Sequence, residues 1–354
     1  MPFLADMYHD KNSVTRISQS PAVQPPGYFR QGDFTDALSA RILGQADAVH
    51  AVGRAVAIAK AGIADPGRPL ASILLVGPTG VGKTELVRQV AAQLRSGADD
   101  LCRVDMAALA QEHYAAAFSG APPGYAGSKE SFTLFEKDKI EGDPFIPGIV
   151  LFDEIEKAHS TVIRALLHVL DCGHLRLANG RETISFRNCF VFLTSNLGSH
   201  LVAEQQRASR SHHWWKPRRK STRSDTRRMI LAAAEGFFDP EFFNRLDETV
   251  LMDPIAPKTA RAITAVEIDS FVRRLARESV RLKVDPAVEA FLYDQGFCAE
   301  YGARGLRRTV REHLVAPVAS CLLAARPTGR EEVTVNVELL SGEVVVFAVK
   351  DSEV

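Results

Sequence analysis

The stretch from Ser72 to Thr84, SILLVGPTGVGKT, decides the fold of this chain. Its first five residues form a continuous apolar run typical of a buried strand, and the next eight match the pattern G-x-x-x-x-G-K-[ST]. A helix is predicted directly afterwards, to Leu94. In this context the glycines let backbone N–H groups surround phosphate oxygens, and the helix offers them its positive end. The alternative, a glycine-rich turn with an incidental lysine, is disfavoured by the flanking strand and helix.

Short apolar runs recur downstream and alternate with helical patterns. Further buried strands are predicted at Arg103 to Met106, Gly148 to Phe152 and Phe190 to Thr194, and an earlier helix around Val49, Val52 and Val56. Continuous apolar strands between helices are typical of a parallel sheet covered on both faces. The predicted fold class is therefore α/β, with a P-loop and a parallel sheet flanked by helices.

The character of the sequence changes near residue 253. Lys258 to Ser279 and Ala303 to Leu323 have helical patterns, and Val333 to Phe347 alternates as paired strands do. We predict a large P-loop subdomain over residues 35–252 and a small helical lid with a terminal β-hairpin over 253–354. Residues 1–34 mix Ser, Gln, Pro and charge without periodicity, which predicts a flexible arm.

Charge and cysteine content exclude several classes of protein. The chain has 43 Lys and Arg against 43 Asp and Glu, so it has no overall basic charge that would coat nucleic acid. No apolar stretch reaches the roughly 18 residues of a membrane-spanning helix, and residues 1–14 do not follow the pattern of a secretory signal. The five cysteines form no C-x-x-C pair. We expect a cytoplasmic protein without a membrane segment.

One segment departs from this neutral balance. Residues 207–228 contain nine Lys or Arg, one acid and both tryptophans of the chain, Trp214 and Trp215. A charge block of this kind is typical of a solvated loop. Aromatic rings among basic residues also suit single-stranded nucleic acid, through base stacking and phosphate neutralisation. Both interpretations stay open.

Two carboxylates follow the strand that ends at Phe152. Asp153 and Glu154 would be costly at the end of a buried strand unless a cation or substrate engages them. In P-loop proteins the loop lysine contacts the β- and γ-phosphates and the next hydroxyl binds Mg²⁺, which are the positions of Lys83 and Thr84. We predict that Asp153 is the second Mg²⁺ partner, through water, and that Glu154 polarises the attacking water. ATP and Mg²⁺ are the predicted cofactors.

The full set of motifs resembles the AAA+ module of the Clp/heat-shock-100 class, above all the second ATPase module of ClpB, ClpA and ClpC. The resemblance extends over residues 36–350. The motifs that carry it are ILGQ at 42–45, GPTGVGKTEL at 77–86, VDM at 104–106, GAPPGYAG at 120–127, DEIEKAH at 153–159, FRN at 186–188, TSNLG at 194–198, FNRLD at 243–247 and YGAR at 301–304.

The resemblance implies a nucleotide site with two sensor residues. Ile42 and Leu43 would line the adenine pocket, or else only pack at a helix start. Asn196 resembles the sensor that positions the attacking water, with a structural cap as the alternative, and Arg304 resembles the lid arginine that reaches the γ-phosphate of its own subunit. The complete set of implied nucleotide contacts is Ile42, Leu43, Gly77, Pro78, Thr79, Gly80, Val81, Gly82, Lys83, Thr84 and Glu85.

The resemblance also implies a homo-oligomeric ring, a hexamer. Arg245 resembles the arginine finger that enters the neighbouring subunit's site and neutralises charge on the γ-phosphate. Pairing with Asp247 or Glu248 is the alternative. Tyr125 resembles the pore-loop aromatic that grips an extended polypeptide, and packing against its own subunit is the alternative.

Departures from the class bear on the expected partners. Ser128 to Ser131 stands where the class has a second aromatic and glycines, and Ala126 replaces a branched residue, which predicts a weaker grip. With one ATPase module and no coiled-coil middle domain in the sequence, we expect a specialised polypeptide client or an adaptor rather than autonomous disaggregation. No Ile-Gly-Phe or Ile-Gly-Leu tripeptide lies between Asn196 and Arg245, so docking to a ClpP-type protease is not expected.

Three functions are compatible with these motifs. The first is an ATP-driven ring that remodels protein by pulling polypeptide through a pore lined by Tyr125. The second is an ATP-dependent switch or nucleic-acid-associated remodeller that uses the basic segment. The third, an ATPase degraded to an assembly role, is disfavoured because every residue of the hydrolytic set is present.

Overall fold

In the computed structural model the described residues are 29–111, 134–176, 183–199, 201, 223–298, 302–325 and 332–349. The strands of these parts are β1 (Ala71–Val76), β2 (Cys102–Asp105), β3 (Gly148–Asp153), β4 (His174–Arg176), β5 (Thr183–Ser185), β6 (Cys189–Ser195), β7 (Glu248–Leu251), β8 (Val280–Val284), β9 (Val333–Leu340) and β10 (Glu343–Val349).

Five of these strands form the parallel sheet of the large subdomain. Their order is β2-β3-β6-β1-β7, and every neighbouring pair is parallel. The register places Val76 opposite Ser195 and Asp105 opposite Asp153. The predicted α/β class is confirmed, and the carboxyl ends of β1, β3 and β6 meet at one edge of the sheet.

The helices cover both faces of this sheet and build the small subdomain. Those of the large subdomain are α1 (Gln31–Ser39), α2 (Ala46–Lys60), α3 (Lys83–Leu94), α4 (Lys137–Glu141), α5 (Ser160–Cys172), α6 (Arg223–Glu235) and α7 (Pro240–Asn244). Those of the small subdomain are α8 (Pro257–Ala276), α9 (Pro286–Gly296), α10 (Gly302–Val310) and α11 (Ala316–Ala325).

Successive residues of each central strand enter two different cores. In β1, Leu74 and Val76 face the core that contains α5, whereas Ile73 and Leu75 face the core that contains α2 and α3. All six residues of β1 and all seven of β6 are buried. Because side chains alternate across a strand, burial on both faces requires the continuous apolar runs seen in the sequence.

The small subdomain has its own core and a second sheet. Helices α8 to α11 pack on strands ordered β10-β9-β8, and Leu292, Leu314 and Val335 are fully buried there. The predicted terminal hairpin is confirmed, since β9 and β10 pair antiparallel. Strand β8 was not predicted. It runs parallel to β9, and Arg281 and Lys283 interrupt its apolar residues.

Several predicted boundaries differ from the structure. The limit of the arm at residue 34 falls inside α1, because Phe34 is buried against α2 and the helix begins at Gln31. The basic segment ends inside α6, whose Arg227 pairs with Asp47. The helix predicted over Ala303–Leu323 contains a π-helical turn at Arg311–Val315. Among the described helices, none is both long and apolar enough to cross a membrane.

The central strand β6 offers a direct test of this core. Phe192 is fully buried beneath α2 and α3, so Phe192→Ala removes a large ring and leaves a cavity. We expect the large subdomain to lose about 3–5 kcal/mol of unfolding free energy. Urea denaturation followed by circular dichroism measures this loss. The control Phe145→Ala changes a ring that is 62% exposed, and it should stay within about 0.5 kcal/mol of the parent.

Candidate active site

The loop between β1 and α3 has a backbone that requires glycine. Gly82 precedes α3 with a φ of +105°, in the left-handed region that favours glycine. A Cβ at Gly77 would lie 2.5 Å from the carbonyl oxygen of Met252. The glycines of the motif therefore bring the loop close to the segment after β7 and start α3 with its free N–H groups facing the loop.

The ammonium of Lys83 is buried at the centre of the site. Its Nζ donates to the carbonyl oxygens of Gly77 at 2.6 Å and Pro78 at 2.8 Å, and to Oδ1 of Asn196 at 2.7 Å. Burial lowers the pKa of Lys83 to about 8, against the raising effect of the nearby carboxylates Glu156, Asp153 and Glu154. A cation this deeply placed is a binding group for an anion that enters the loop.

Asp153 and Thr84 bring hard oxygen atoms together beside the loop. Thr84 Oγ1 lies 3.5 Å from both carboxylate oxygens of Asp153, and Thr194 Oγ1 donates to the same carboxylate. Hydroxyl and carboxylate oxygens are the donors that Mg²⁺ prefers. The same carboxylate also accepts from Arg103, whose Nη2 lies 2.5 Å away. The motif analysis did not identify Arg103, which lies on β2, next to β3 in the sheet.

Glu154 has a strained backbone that aims its carboxylate. Its φ of 60° and ψ of 53° lie in the left-handed region, and its N–H donates to Oγ1 of Thr194 at 3.0 Å. Non-glycine residues in this region cost free energy and cluster at functional sites. The Nδ2 of Asn196 donates to Oε1 of Glu154 at 3.0 Å. Glu154 is thus fixed at the end of β3, one residue beyond Asp153.

Asn196 connects the buried cation of the site with its carboxylates through hydrogen bonds. Its side chain accepts from Lys83 and donates to Glu154, and its backbone N–H donates to Oε1 of Glu156 at 3.0 Å. The amide therefore lies between the cation and the carboxylate and contacts both. Glu156 belongs to the DEIEKAH motif, but sequence reasoning did not single it out as a site residue.

The lid contributes directly to the cavity. Ala303 N–H donates to the carbonyl oxygen of Gly80 at 3.0 Å, and Arg304 lies near enough to Lys83 to act against its positive charge. Arg307 pairs with Glu267 at 2.6 Å and with Glu85 at 3.3 Å. Glu85 lines the cavity, and its carboxylate is engaged with the lid and with its own helix.

The cavity has a volume of about 730 Å³, which is in the range of small-molecule sites. Ile42 and Leu43 line it together with the apolar lid-side residues Ile255, Ile263 and Val266, which sequence reasoning missed. Near its wall, Gln45 Nε2 donates to the carbonyl oxygen of Asp253 at 2.9 Å, joining the two subdomains. Of the predicted nucleotide contacts and sensors, the lining includes Ile42, Leu43, Thr79, Gly80, Val81, Gly82, Lys83, Thr84, Glu85, Asp153, Glu154, Asn196 and Arg304.

Arg245 does not line this cavity. It follows α7, and its guanidinium pairs with Asp171 at 2.8 Å and lies 3.7 Å from Glu241. The alternative that it pairs with Asp247 or Glu248 is wrong: Asp247 binds the Ser72 N–H and Glu248 pairs with Arg54. Tyr125 and residues 207–222 lie outside the described residues.

The site and the sheet order define a P-loop nucleotide-binding protein. Residues 68–249 match the model of the AAA domain (Cdc48 subfamily), and residues 255–335 match that of the C-terminal, D2-small domain of ClpB protein. The chain belongs to the AAA+ ATPase family and combines its AAA domain with a small domain of the ClpB type.

Two similar relatives have nearly the same length as this chain. An "ATP-dependent protease ATP-binding subunit-like protein" of Rhodococcus erythropolis is 55% identical, over 97% of this chain and 98% of its own length. The similarly named AmiB of Pseudomonas aeruginosa is 41% identical, over 98% and 99% respectively.

Longer proteins match over one part of their length. The chaperone protein ClpB of Meiothermus ruber is 38% identical over 82% of this chain, which spans 32% of that protein. A solved structure described as the closed state of Hsp104 with ATPyS and FITC casein matches with a TM-score of 0.71 and 30% identity. That match includes 90% of this chain and 51% of the other.

Substitution of Lys83 should impair ATP binding, whereas substitution of Glu154 should impair turnover. Lys83→Ala leaves phosphate charge unpaired in a buried site, so we expect ATP affinity to fall about 10–100-fold. Glu154→Gln keeps the shape of the side chain and its contact with Asn196 but removes the carboxylate that we expect to act as the base. Turnover should therefore fall about 10²–10⁴-fold while the Kd for ATP changes less than about threefold. Fluorescent-nucleotide titration and steady-state ATPase assays separate the two, and equal turnover in Glu154→Gln and the parent would refute the role of Glu154.

Proposed function

We propose that this protein is a Mg²⁺-dependent ATPase that acts as a ring, a hexamer, and remodels polypeptide clients by pulling them through a central pore. The observation that carries the proposal is that the residues expected to take part in hydrolysis do not all lie in one cavity. Lys83, Glu154 and Asn196 form one hydrogen-bonded network in the cavity, whereas Arg245 lies outside it on the surface of the same subunit. A site that needs Arg245 is complete only beside a second copy.

The described residues fit Mg²⁺ and ATP. Thr84 and Asp153 would hold the ion, and bound Mg²⁺ would neutralise charge on the β- and γ-phosphates. Lys83 already faces the loop and would exchange the carbonyl oxygens of Gly77 and Pro78 for phosphate oxygens. Ile42 and Leu43 would contact adenine, and Arg304 would approach the γ-phosphate from the lid.

Glu154 would take the proton of the attacking water, and Asn196 would orient both. Water then adds to the γ-phosphorus as the bond to ADP breaks, so that ADP and phosphate leave. In the structure Asn196 is shared between Lys83 and Glu154. When Lys83 moves to phosphate, the amide oxygen of Asn196 becomes available to the water. This exchange would couple phosphate binding to activation of the base.

Remodelling of polypeptide is supported by similarity and by the sequence around Tyr125. The Hsp104 structure that this chain resembles holds a nucleotide analogue and casein, a polypeptide. Tyr125 stands in the sequence PPGYAG, whose proline and glycine residues predict a loop with an aromatic ring at its tip. A ring of such side chains would grip a chain through apolar contact without reading its sequence.

Activity should require contact between subunits. If Arg245 acts in the neighbouring site, turnover per subunit should rise with protein concentration. Arg245→Ala and Glu154→Gln should each be inactive alone, and mixing them should restore activity at interfaces that combine an intact Glu154 with an intact Arg245. ATPase assays over a concentration series and a mixing ratio measure both effects. A monomer with full, concentration-independent turnover would contradict the role of Arg245.

Substitution of Tyr125 should affect the unfolding of a client protein and not ATP turnover in the absence of a client. Tyr125→Ala should leave ATP turnover without client within about twofold of the parent, and should abolish unfolding of a fluorescent client protein. Tyr125→Phe is the control, because it keeps the ring, and it should retain unfolding of the client.

Deletion of residues 207–222, which spares α6, tests the nucleic-acid alternative. If Tyr125→Ala unfolds the client as well as the parent does, and the deletion removes a salt-sensitive affinity for single-stranded DNA, the nucleic-acid alternative replaces the proposal.

A further inference from the structure

The guanidinium of Arg245 is held from one side by an acid on another helix. Nη1 of Arg245 lies 2.8 Å from Oδ1 of Asp171, the last residue but one of α5. The second acid, Glu241, lies 3.7 Å from Nη2 and belongs to α7, the helix that Arg245 follows. Asp171 is therefore the close partner, and it comes from a different element from the arginine.

The backbone of Arg245 is tied to the same helix end. Arg68 donates from Nη2 to the carbonyl oxygen of Arg245 at 2.6 Å and from Nε to the carbonyl oxygen of Leu170 at 3.1 Å. Leu170 and Asp171 are consecutive in α5, so the main chain and the side chain of Arg245 are fixed to one place. Two independent contacts at one end of α5 thus define where the guanidinium points.

The bonding of the guanidinium is incomplete within the described part of the subunit. Nε of Arg245 is buried and has no hydrogen-bond partner there, and Nη2 has only the long contact to Glu241. The side chain is 39% exposed. Asp171 and Arg245 are both partly exposed, and ion pairs of this kind contribute little to stability. The pair is better suited to orienting the arginine than to stabilising the fold.

We propose that Asp171 is a positioning residue for Arg245 in catalysis. By fixing Nη1 it selects one arrangement of a long side chain that otherwise loses much conformational freedom on binding, and it leaves Nη2 to face the γ-phosphate of the neighbouring subunit. This inference rests on the proposed action of Arg245 between subunits. Asp171 does not line the cavity of its own subunit, so it acts only through Arg245.

The test compares Asp171→Asn with two matched variants. Asp171→Asn should lower kcat about 10-fold and change the KM for ATP less than about twofold, because the subunit's own nucleotide contacts are untouched. Asp171→Glu keeps the charge and should recover a large part of kcat. Asp269→Asn breaks another exposed aspartate–arginine pair, with Arg273 on α8, and should leave both constants unchanged. A kcat for Asp171→Asn equal to that of the parent overturns the inference.

Mixing experiments separate positioning from damage to the subunit. In an excess of Glu154→Gln subunits, each Asp171→Asn subunit receives an intact Arg245 from its neighbour, so turnover per Asp171→Asn subunit should rise about 10-fold. No rise, where Arg245→Ala does recover in the same mixture, overturns the positioning role and leaves the proposed function standing. Failure of both mixtures overturns the action of Arg245 between subunits and this inference with it. If Asp171→Asn does not assemble by size-exclusion chromatography, Asp171→Ser takes its place, because it also removes the carboxylate, and a kcat in that variant equal to that of the parent overturns the inference.

Discussion

The burial of the Lys83 ammonium is the constraint on which the rest of the site depends. A buried charge is tolerated only when hydrogen bonds and opposite charges surround it, and three acceptors within 2.8 Å meet that need. Two of the acceptors are carbonyl oxygens of the loop and the third is Asn196. The fold must therefore bring the end of β6 to the loop after β1, and this contact also fixes Glu154 through the other end of the same amide.

The order of the strands in the sheet makes this contact between the end of β6 and the loop after β1 possible. Strands β3, β6 and β1 are neighbours and all parallel, so the residues that follow them emerge at one edge. Asp153 ends β3 and Glu154 follows it, Asn196 follows β6, and the phosphate loop follows β1. The strain in the backbone of Glu154 is compensated locally by the Thr194 hydroxyl, which accepts its N–H and donates to Asp153. One threonine on β6 thus contacts both acidic residues, through the backbone N–H of Glu154 and the carboxylate of Asp153.

Sequence reasoning found the parts of the site that lie in continuous motifs and missed those that depend on tertiary contacts. The P-loop and the two carboxylates are predictable because each follows an apolar strand, whereas Asn196 is implied by the resemblance of its motif to that of the family. Arg103 and Asp171 carry no such signal, since a polar residue on a strand or helix acquires its partner only when distant elements pack. Similarly, the predicted partners of Arg245 were near in sequence, whereas Asp171 is distant in sequence and near in space. Strand β7 was missed because it is four residues long and begins with Glu248.

The contacts between the subdomains suggest how phosphate in the loop would move the lid. Ala303 of the lid donates directly to Gly80 of the loop, and Arg307 of the lid holds Glu85, the residue after Thr84. A Cβ at Gly302 would meet the Gly80 carbonyl oxygen at 2.7 Å, so the lid backbone lies against the loop with no space between them. A rearrangement of the loop around phosphate would therefore act on the start of α10. Leu306 of α10 packs in the core of the large subdomain, while the rest of the small subdomain has a core of its own, so we expect a shift at the loop to be passed to the small subdomain through α10.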